Sequence, residues 1–419
     1  MSLYATFRRQ VREALSDTFR SLRHRNFRYY WLGQLPAATG RWMYQVAQGW
    51  LVLQLENSAL VLGTVGALQW LPVLLLSVVS GAIAERYPKR SVLLVTQSLL
   101  MTWTALLGIL TLTGLVKVWH VMVIAFLTGL VNAFDQPTRQ SFVVELVGRD
   151  DLPNGIALNS SLFNTARVVG PSLGGFIIKA VGIGPTFLID AAAYLPFIVG
   201  LLMMRDLPLP RSDGRRVGEQ VVEGLRYIRT TPDIFWPIAL VGVVSLFSIN
   251  WNVLLPLMAK NVLKLGADGL GLLYGALGIG SLAGSLHMAR DHRPFTTARV
   301  ALYALLFTLF EALVAALSRV EYVMVLLAVA GYYSIRFTSG SNALVQINVP
   351  DHLRVRVMSV YYLVFGGSSP FGNELVGAMA HVAGPRGALL FSSLIGGAFA
   401  LWVLGRDRRA HEEANSGAP

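Results

Sequence analysis

The sequence predicts an all-α membrane protein of twelve transmembrane helices in two six-helix bundles, with both termini in the cytoplasm. Three observations carry that expectation. Hydrophobic residues are 54% of the 419 and charged residues only 14%, against roughly 25% charged in soluble domains, so a globule of this size could not solvate itself. The apolar residues gather into twelve stretches, each long enough for the ~20 residues that a bilayer core ~30 Å thick demands of a helix. The basic residues fall on one side of those stretches. The stretches are apolar all round instead of alternating, which argues against a β-barrel.

Taken in order, spans one to six cover 28–54, 59–84, 91–115, 119–141, 153–180 and 184–204. Spans seven to twelve cover 233–259, 267–290, 297–317, 321–345, 355–380 and 386–404. Residues 1–27 form a basic N-terminal segment. Span one is too long for a signal-peptide core and is expected to stay uncleaved. Spans four, five and eleven carry the most polar residues. The longest polar interruption, 205–232, divides the spans six and six and begins with Pro, Gly and charge, as linkers do. Its later part, GEQVVEGLRYIRT, puts Val221, Val222, Leu225 and Ile228 on one helical face with Arg226 and Arg229 opposite. It reads as an amphipathic surface helix or as a plain connector. Residues 405–419 form a C-terminal tail.

Charge sets the orientation. The segments before span one, after every even span and after span twelve, with the span ends that border them, hold 26 Lys or Arg, whereas the odd connections with their bordering span ends hold six: Lys117, Lys179, Lys260, Lys264, Arg319 and Arg386. The positive-inside bias therefore places both termini in the cytoplasm. The same residues account for the net charge of +12 as contacts for anionic lipid heads, with no nucleic acid implied. There is no cysteine, so disulfides and thiolate chemistry are excluded. The two halves share a pattern: an apolar segment, a short charged stretch, then a helix with a proline near its middle, Pro171 and Pro370, 199 positions apart. A pair of related bundles with a solute site between them near the midplane suits a rocking transporter.

Gly81 to Arg90, GAIAERYPKR, resembles the signature loop between the second and third helices of the major facilitator superfamily. The stretches HRNFRYYWLGQ and GRWMYQVAQGWLVLQL, DQPTRQSFV and LPNGIALNSSLFNTARVVGPSLGG, and LRVRVMSVYYLVFGGSSPFG narrow the resemblance to the drug and siderophore exporter branch. It covers about 27–405. Glu85 stands where the loop usually has Asp, and Pro88 where it usually has Gly. The resemblance implies a cytoplasmic gate: Gly81 lets span two approach a neighbour, Glu85 meets the N-terminus of span eleven near Met358 and Ser359, and Arg86, Lys89 and Arg90 pair with Asp135, close to Arg139. The plain alternative is a positive-inside anchor. Gly170, Pro171, Gly174 and Gly175 resemble the antiporter motif, with Ala166 where its leading Gly is common. Pro171 bends the helix, and the glycines allow close packing. In the family that motif accompanies export in exchange for protons.

Ionisable residues within spans are costly and point to function. They are Arg41, Arg167, Arg336, Asp135, Asp190, Glu311 and Glu374. Superfamily architecture keeps spans three, six, nine and twelve away from the centre, which favours Asp135 and Glu374 over Asp190 and Glu311 as proton carriers. Arg139 or Arg167 would partner Asp135, and Arg336 would partner Glu374. The expected cavity lining is Arg41, Trp42, Gln45, Asn164, Arg167, Asn250, Trp251, Asn252, Tyr332, Tyr333 and Arg336. Aromatics and amides there suit an adaptable apolar contact with fixed orientation, and the arginines suit an anionic solute.

The expectation is thus a monomeric proton-coupled exporter of a small amphipathic or anionic molecule, without cofactor, driven by the proton gradient. No phosphate loop GxxxxGK[ST] occurs, which excludes an ATP-driven pump. The seven His are scattered and no HExxH appears, so the chain is not expected to be an enzyme. An uptake permease for an organic anion is the remaining transport alternative. A membrane scaffold or receptor fits least, because buried charges in both halves call for a pathway.

Overall fold

The computed structural model describes residues 18–148, 150–205, 207, 225–291 and 293–416, with side chains except those of 77–79, 81–86, 351, 352, 355 and 408–416. A 3-10 turn at Arg20–Arg23 leads into α1 (Arg25–Leu55), α2 (Ala59–Arg86), α3 (Lys89–Leu112), α4 (Val118–Val147) and α5 (Leu152–Val181). The sixth expected span is split into α6 (Ile183–Ala193) and α7 (Leu195–Met203). The seventh comprises α8 (Pro232–Phe247), α9 (Trp251–Leu257) and a π turn at Met258–Val262. Then follow α10 (Ala267–Arg290), α11 (Thr297–Ala316), α12 (Val320–Asn348), α13 (Asp351–Gly367) and α14 (Ser369–Ser416). No strand occurs among the described residues.

By length and composition, nine segments among the described residues qualify as membrane spans. Eight coincide with expected spans two to four and six to ten. The ninth, Arg356–Asp407, runs 52 residues; at 1.5 Å per residue that would reach ~78 Å, more than twice the bilayer core. It is broken at Gly384 (φ 73°, ψ 170°) and so holds the eleventh and twelfth expected spans. Helices α1 and α5 fall short because both carry polar residues along their length, among them Gln34, Arg41, Gln45 and Gln48 on α1 and Asn159, Asn164 and Arg167 on α5.

The repeat is visible in the backbone. Gly182 (φ 88°) and Gly384 (φ 73°) each turn the chain directly from one helix into the next, and a positive φ favours glycine at both. They lie 202 positions apart, close to the spacing of Pro171 and Pro370. Lys260 Nζ donates to the Leu53 carbonyl, so the first and seventh crossings end on one face, the far face. On the opposite face, Asn26 donates to the Arg205 carbonyl at 2.7 Å and Arg406 lies 4.3 Å from the Trp236 ring centre. Both halves start and finish on this terminal face.

Within the first half, Tyr30 sits edge-on to Phe142 and Phe197, 5.9 and 5.4 Å between ring centres. Residues 225–230 of the linker are helical, with Ile228 buried and Leu225, Arg226 and Arg229 exposed. Val221 and Val222 lie outside the described residues.

Candidate functional site

Two seams of small residues join the halves. Where α5 meets α10, a methyl on Gly271 would lie 2.7 Å from the Pro171 carbonyl oxygen and one on Gly275 would lie 2.5 Å from Ser172 Oγ. Ser172 Oγ donates to the Gly271 carbonyl at 3.2 Å. Toward the terminal face the contact runs to Gly278 against Val168, and at the far rim it ends in Lys179 paired with Asp268 at 2.6 Å. Where α2 meets α14, a methyl on Gly63 would lie 2.6 Å from the Asn373 carbonyl oxygen and one on Gly377 would lie 2.8 Å from the Ala59 carbonyl oxygen. Thr64 Oγ1 donates to Glu374 there at 3.3 Å. In lipid no hydrophobic drive pulls helices together, so attraction rests on such close backbone approach.

The antiporter-like motif serves two interfaces at once. At roughly 100° per residue, Gly170 and Gly174 face α1, where methyls would meet Trp42 Cβ (2.6 Å) and Met43 Cα (3.0 Å). Pro171, Ser172 and Gly175 face α10. Asn164 and Arg167 project between these two contact faces, while Val169, Leu173 and Phe176 form an exposed apolar face on the other side. Arg167 is exposed and its guanidinium lies 5.2 Å from the centre of the Trp42 ring. Trp42, Gln45 and Gly49 share one face of α1, and Gly49 packs on Pro256 of α9. The Asn252 amide closes on Gly66 beside the second seam. Trp42 and Arg167 thus meet between α1 and α5, the same face of α1 reaches the second half at Gly49, and Asn252 lies at the second seam.

The other expected lining residues turn into their own half. Trp251 lies edge-on to Phe307 with centres 6.2 Å apart, and Tyr333 stacks on Phe310 at 5.8 Å, both on α11. Asn250 donates to the Leu246 carbonyl at 2.9 Å and packs against Gly372. The Tyr332 hydroxyl hydrogen-bonds His287 Nδ1 at 2.6 Å. Arg336 is buried against Asp291 (2.6 Å) and the hydroxyls of Tyr303 (2.7 Å) and Tyr332 (2.8 Å). It is therefore no partner of Glu374. Asp291 also binds Arg299 at 2.6 Å. Burial pushes the Asp291 carboxyl up, but the backbone N–H of Arg293 and the guanidinium groups of Arg299 and Arg336 outweigh it and hold the carboxyl below the usual range.

Asp135 is buried and saturated. It accepts from Thr96 Oγ1 (2.8 Å), Gln97 Nε2 (2.7 Å) and Arg139 Nε (2.5 Å), and Arg41 Nη2 stands 3.6 Å away. The expected pairing of the loop cations with Asp135 is corrected: Lys89 pairs with Glu145, and Arg90 donates to the carbonyls of Leu201 (2.7 Å) and Leu202 (3.0 Å). Depth explains this. Asp135 lies ten residues below Glu145 on α4, which at 1.5 Å per residue is ~15 Å, beyond the reach of a cation at the head of α3. Gly81, Glu85 and Arg86 belong to the last turns of α2, and their side chains, with the expected approach of Glu85 to α13, lie outside the described residues.

Sequence reasoning missed Thr96, Gln97, Glu145, Asp291 and Tyr303. Glu145 carried a signal, being the one carboxylate in SFVVELV at the end of α4 that neighbours the head of α3. It also missed that the N-terminal turn docks: Arg20 and His24 pair with Asp151 at 2.5 and 2.7 Å, and the Ser21 N–H donates to Asn154 Oδ1 at 2.9 Å. The hydrogen bond from His24, then Arg20 against burial, holds the Asp151 carboxyl below its usual range.

A family model described as transmembrane secretion effector matches residues 16–416. The multidrug efflux pump Tap of Mycolicibacterium fortuitum is 30% identical over 373 residues, 86% of this chain and 90% of that protein. The staphyloferrin A transporter of Staphylococcus aureus is 25% identical over 85% of this chain and 90% of its own length, and the enterobactin exporter EntS of Shigella boydii 25% over 79% and 80%. Among solved structures, a bacterial homologue of the lysosomal transporter Spinster in its inward-facing, unoccupied conformation superposes with a TM-score of 0.73 at 12% identity, over 90% of this chain and 96% of that one. The nucleoside transporter NupG gives 0.71 at 11% identity, over 91% and 98%. The fold and the relatives are those of multi-pass membrane transporters of small molecules, not of enzymes.

Proposed function

For this chain, which belongs to the transmembrane secretion effector family of the major facilitator superfamily, we propose proton-coupled antiport that exports a small amphipathic or anionic molecule by alternating access. The observation that carries the reading is Arg167 stacked on Trp42, the two members of the expected polar stripe Trp42, Gln45, Asn164 and Arg167 that touch, beside small-residue seams that join the halves. Glycine-on-backbone contacts of this kind break without leaving apolar side chains stranded, so a rocking motion costs little at the seam. Arg167, exposed and stacked on Trp42, offers a bidentate contact to carboxylate, phosphate or catecholate oxygens. Glu374, hydrogen-bonded to Thr64 across a seam, loses that partner when the halves part.

The reading includes twelve crossings, with residues 28–204 and 233–404 as the rocking bundles joined by 205–232. Both termini face the cytoplasm, and the basic residues there contact anionic lipid heads. One chain supplies both halves of the pathway, which supports action as a monomer. The substrates named for the relatives define the test panel: iron-free enterobactin, iron-free staphyloferrin A and a set of antibiotics, offered to everted vesicles with an inside-acid gradient. Accumulation of a panel member that collapses when the gradient is dissipated is the expected result. Accumulation indifferent to the gradient sinks the antiport, and transport only into right-side-out vesicles turns the protein into an uptake permease.

A further inference from the structure

Asp190, on α6, is buried to 1% exposure, and neither of its carboxylate oxygens has a hydrogen-bond partner among the described residues. Gly40 of α1 packs directly onto Oδ1. The next residue, Arg41, is the cation whose field reaches Asp190, yet no ion pair joins the two. Arg41 instead leans toward Asp135 through Nη2 at 3.6 Å, and its own buried Nε has no partner. The other titratable groups around Asp190 are Tyr44 on α1 and Tyr194 at the α6–α7 break, with Asp135 and Arg139 on α4 behind Arg41. The charges of α3, Lys89 and Arg90, sit at its terminal-face end and are engaged elsewhere.

An unpaired ionised carboxylate in such a place is very costly, whereas the neutral acid leaves one O–H and one carbonyl unpaired. We propose that Asp190, with Arg41 as its counter-cation in waiting, is the proton-carrying site of the transport cycle; this deepens the antiport reading and rests on it. In the conformation described, the proton is on Asp190 and Arg41 leans on Asp135. When α1 moves, the Asp190 O–H bond breaks, the proton leaves to water, and Arg41 brings its free Nε to the new carboxylate. Asp135 keeps Arg139, Thr96 and Gln97 throughout, so it is a fixed anchor and not the carrier. Trp42, the residue after Arg41, faces the polar stripe, so solute and proton act on the same turn of α1. Glu311 on α11 is equally buried, but its neighbour is the Ser248 hydroxyl and no cation among the described residues reaches it, so nothing there could balance a released proton.

The test joins spectroscopy to transport. Purified protein at neutral pH is expected to show a carboxylic-acid carbonyl stretch in the infrared that Asp190→Asn removes in part and Asp135→Asn leaves in place, with Glu311→Gln as the control for the second buried acid. In everted vesicles with iron-free enterobactin as probe, Asp190→Asn is expected to lose at least tenfold of gradient-driven accumulation while retaining exchange between preloaded and external enterobactin. Unchanged gradient-driven accumulation in Asp190→Asn overturns the assignment, as does an infrared band indifferent to that substitution. Gradient-independent accumulation by the unaltered protein overturns the antiport reading itself, while the infrared band still decides where the proton resides.

Discussion

Asp135 on α4 and Arg336 on α12 lie 201 positions apart, near the repeat spacing, and each is the buried centre of a polar cluster in its half. The polarity is inverted. In the first half an anion is held by Arg139, Arg41, Thr96 and Gln97; in the second a cation is held by Asp291, Tyr303 and Tyr332. The repeat has kept the place of a polar staple between adjacent helices and not its sign. The two also differ in what borders them. Arg41 of the first cluster belongs to a helix at the interface between halves and stands beside the unpaired Asp190, whereas Arg336 looks outward to α11 and the segment after α10. On the proposed reading the first half serves coupling and the second support.

The largest expected effect breaks the first cluster. Asp135→Ala strands Arg139 as a buried cation and takes the anion from Arg41, a loss of about 3–5 kcal/mol, and detergent-solubilised protein should melt far earlier or fail to accumulate. Arg336→Met should cost less, about 1–3 kcal/mol, because Asp291 retains Arg299; equal losses in both variants would erase the proposed difference. Tyr303→Phe removes one hydroxyl from the second cluster and should cost about 0.5–1.5 kcal/mol in the same melting assay. The pH response sharpens the contrast. Because the folded Asp291 carboxyl is held below its ordinary range, its contribution is present above the unfolded carboxylate pKa of ~3.9 and is lost only as pH falls through the lower folded value. Melting of Asp291→Asn relative to the unaltered protein should therefore keep a constant offset from pH 8 to pH 5. The smallest effect is at the surface: Asp151→Asn, which removes the ion pairs with Arg20 and His24 but leaves the Asn154 contacts of the N-terminal turn, should shift the melting temperature least of the set.

Much of this was legible in the sequence, for physical reasons that also mark its limit. A bilayer imposes length, so α2, α3 and α4 declared themselves, and Pro171 and Pro370 gave the repeat. Rotation about each helix was not legible. A helix that is apolar all round has no polar face to orient it, and so Trp251 and Tyr333, expected in the cavity, pack on α11. Asp190 was set aside because its helix was expected to lie outside; the packing of Gly40 against its carboxylate brings it to α1. The loop resemblance implies that Lys89 pairs with Asp135, whereas depth along α4 selects Glu145.

The central claim is that the halves must part at the α5–α10 seam for transport to proceed. The chain has no cysteine, so a single introduced pair reports without background. In Ser172→Cys with Gly275→Cys the two Cβ atoms would stand 3.9 Å apart, within the ~3.5–4.5 Å that a disulfide accepts. Oxidation of that pair in everted vesicles should abolish gradient-driven accumulation, and reduction should restore it. Full accumulation with the cross-link formed in every molecule would contradict the account.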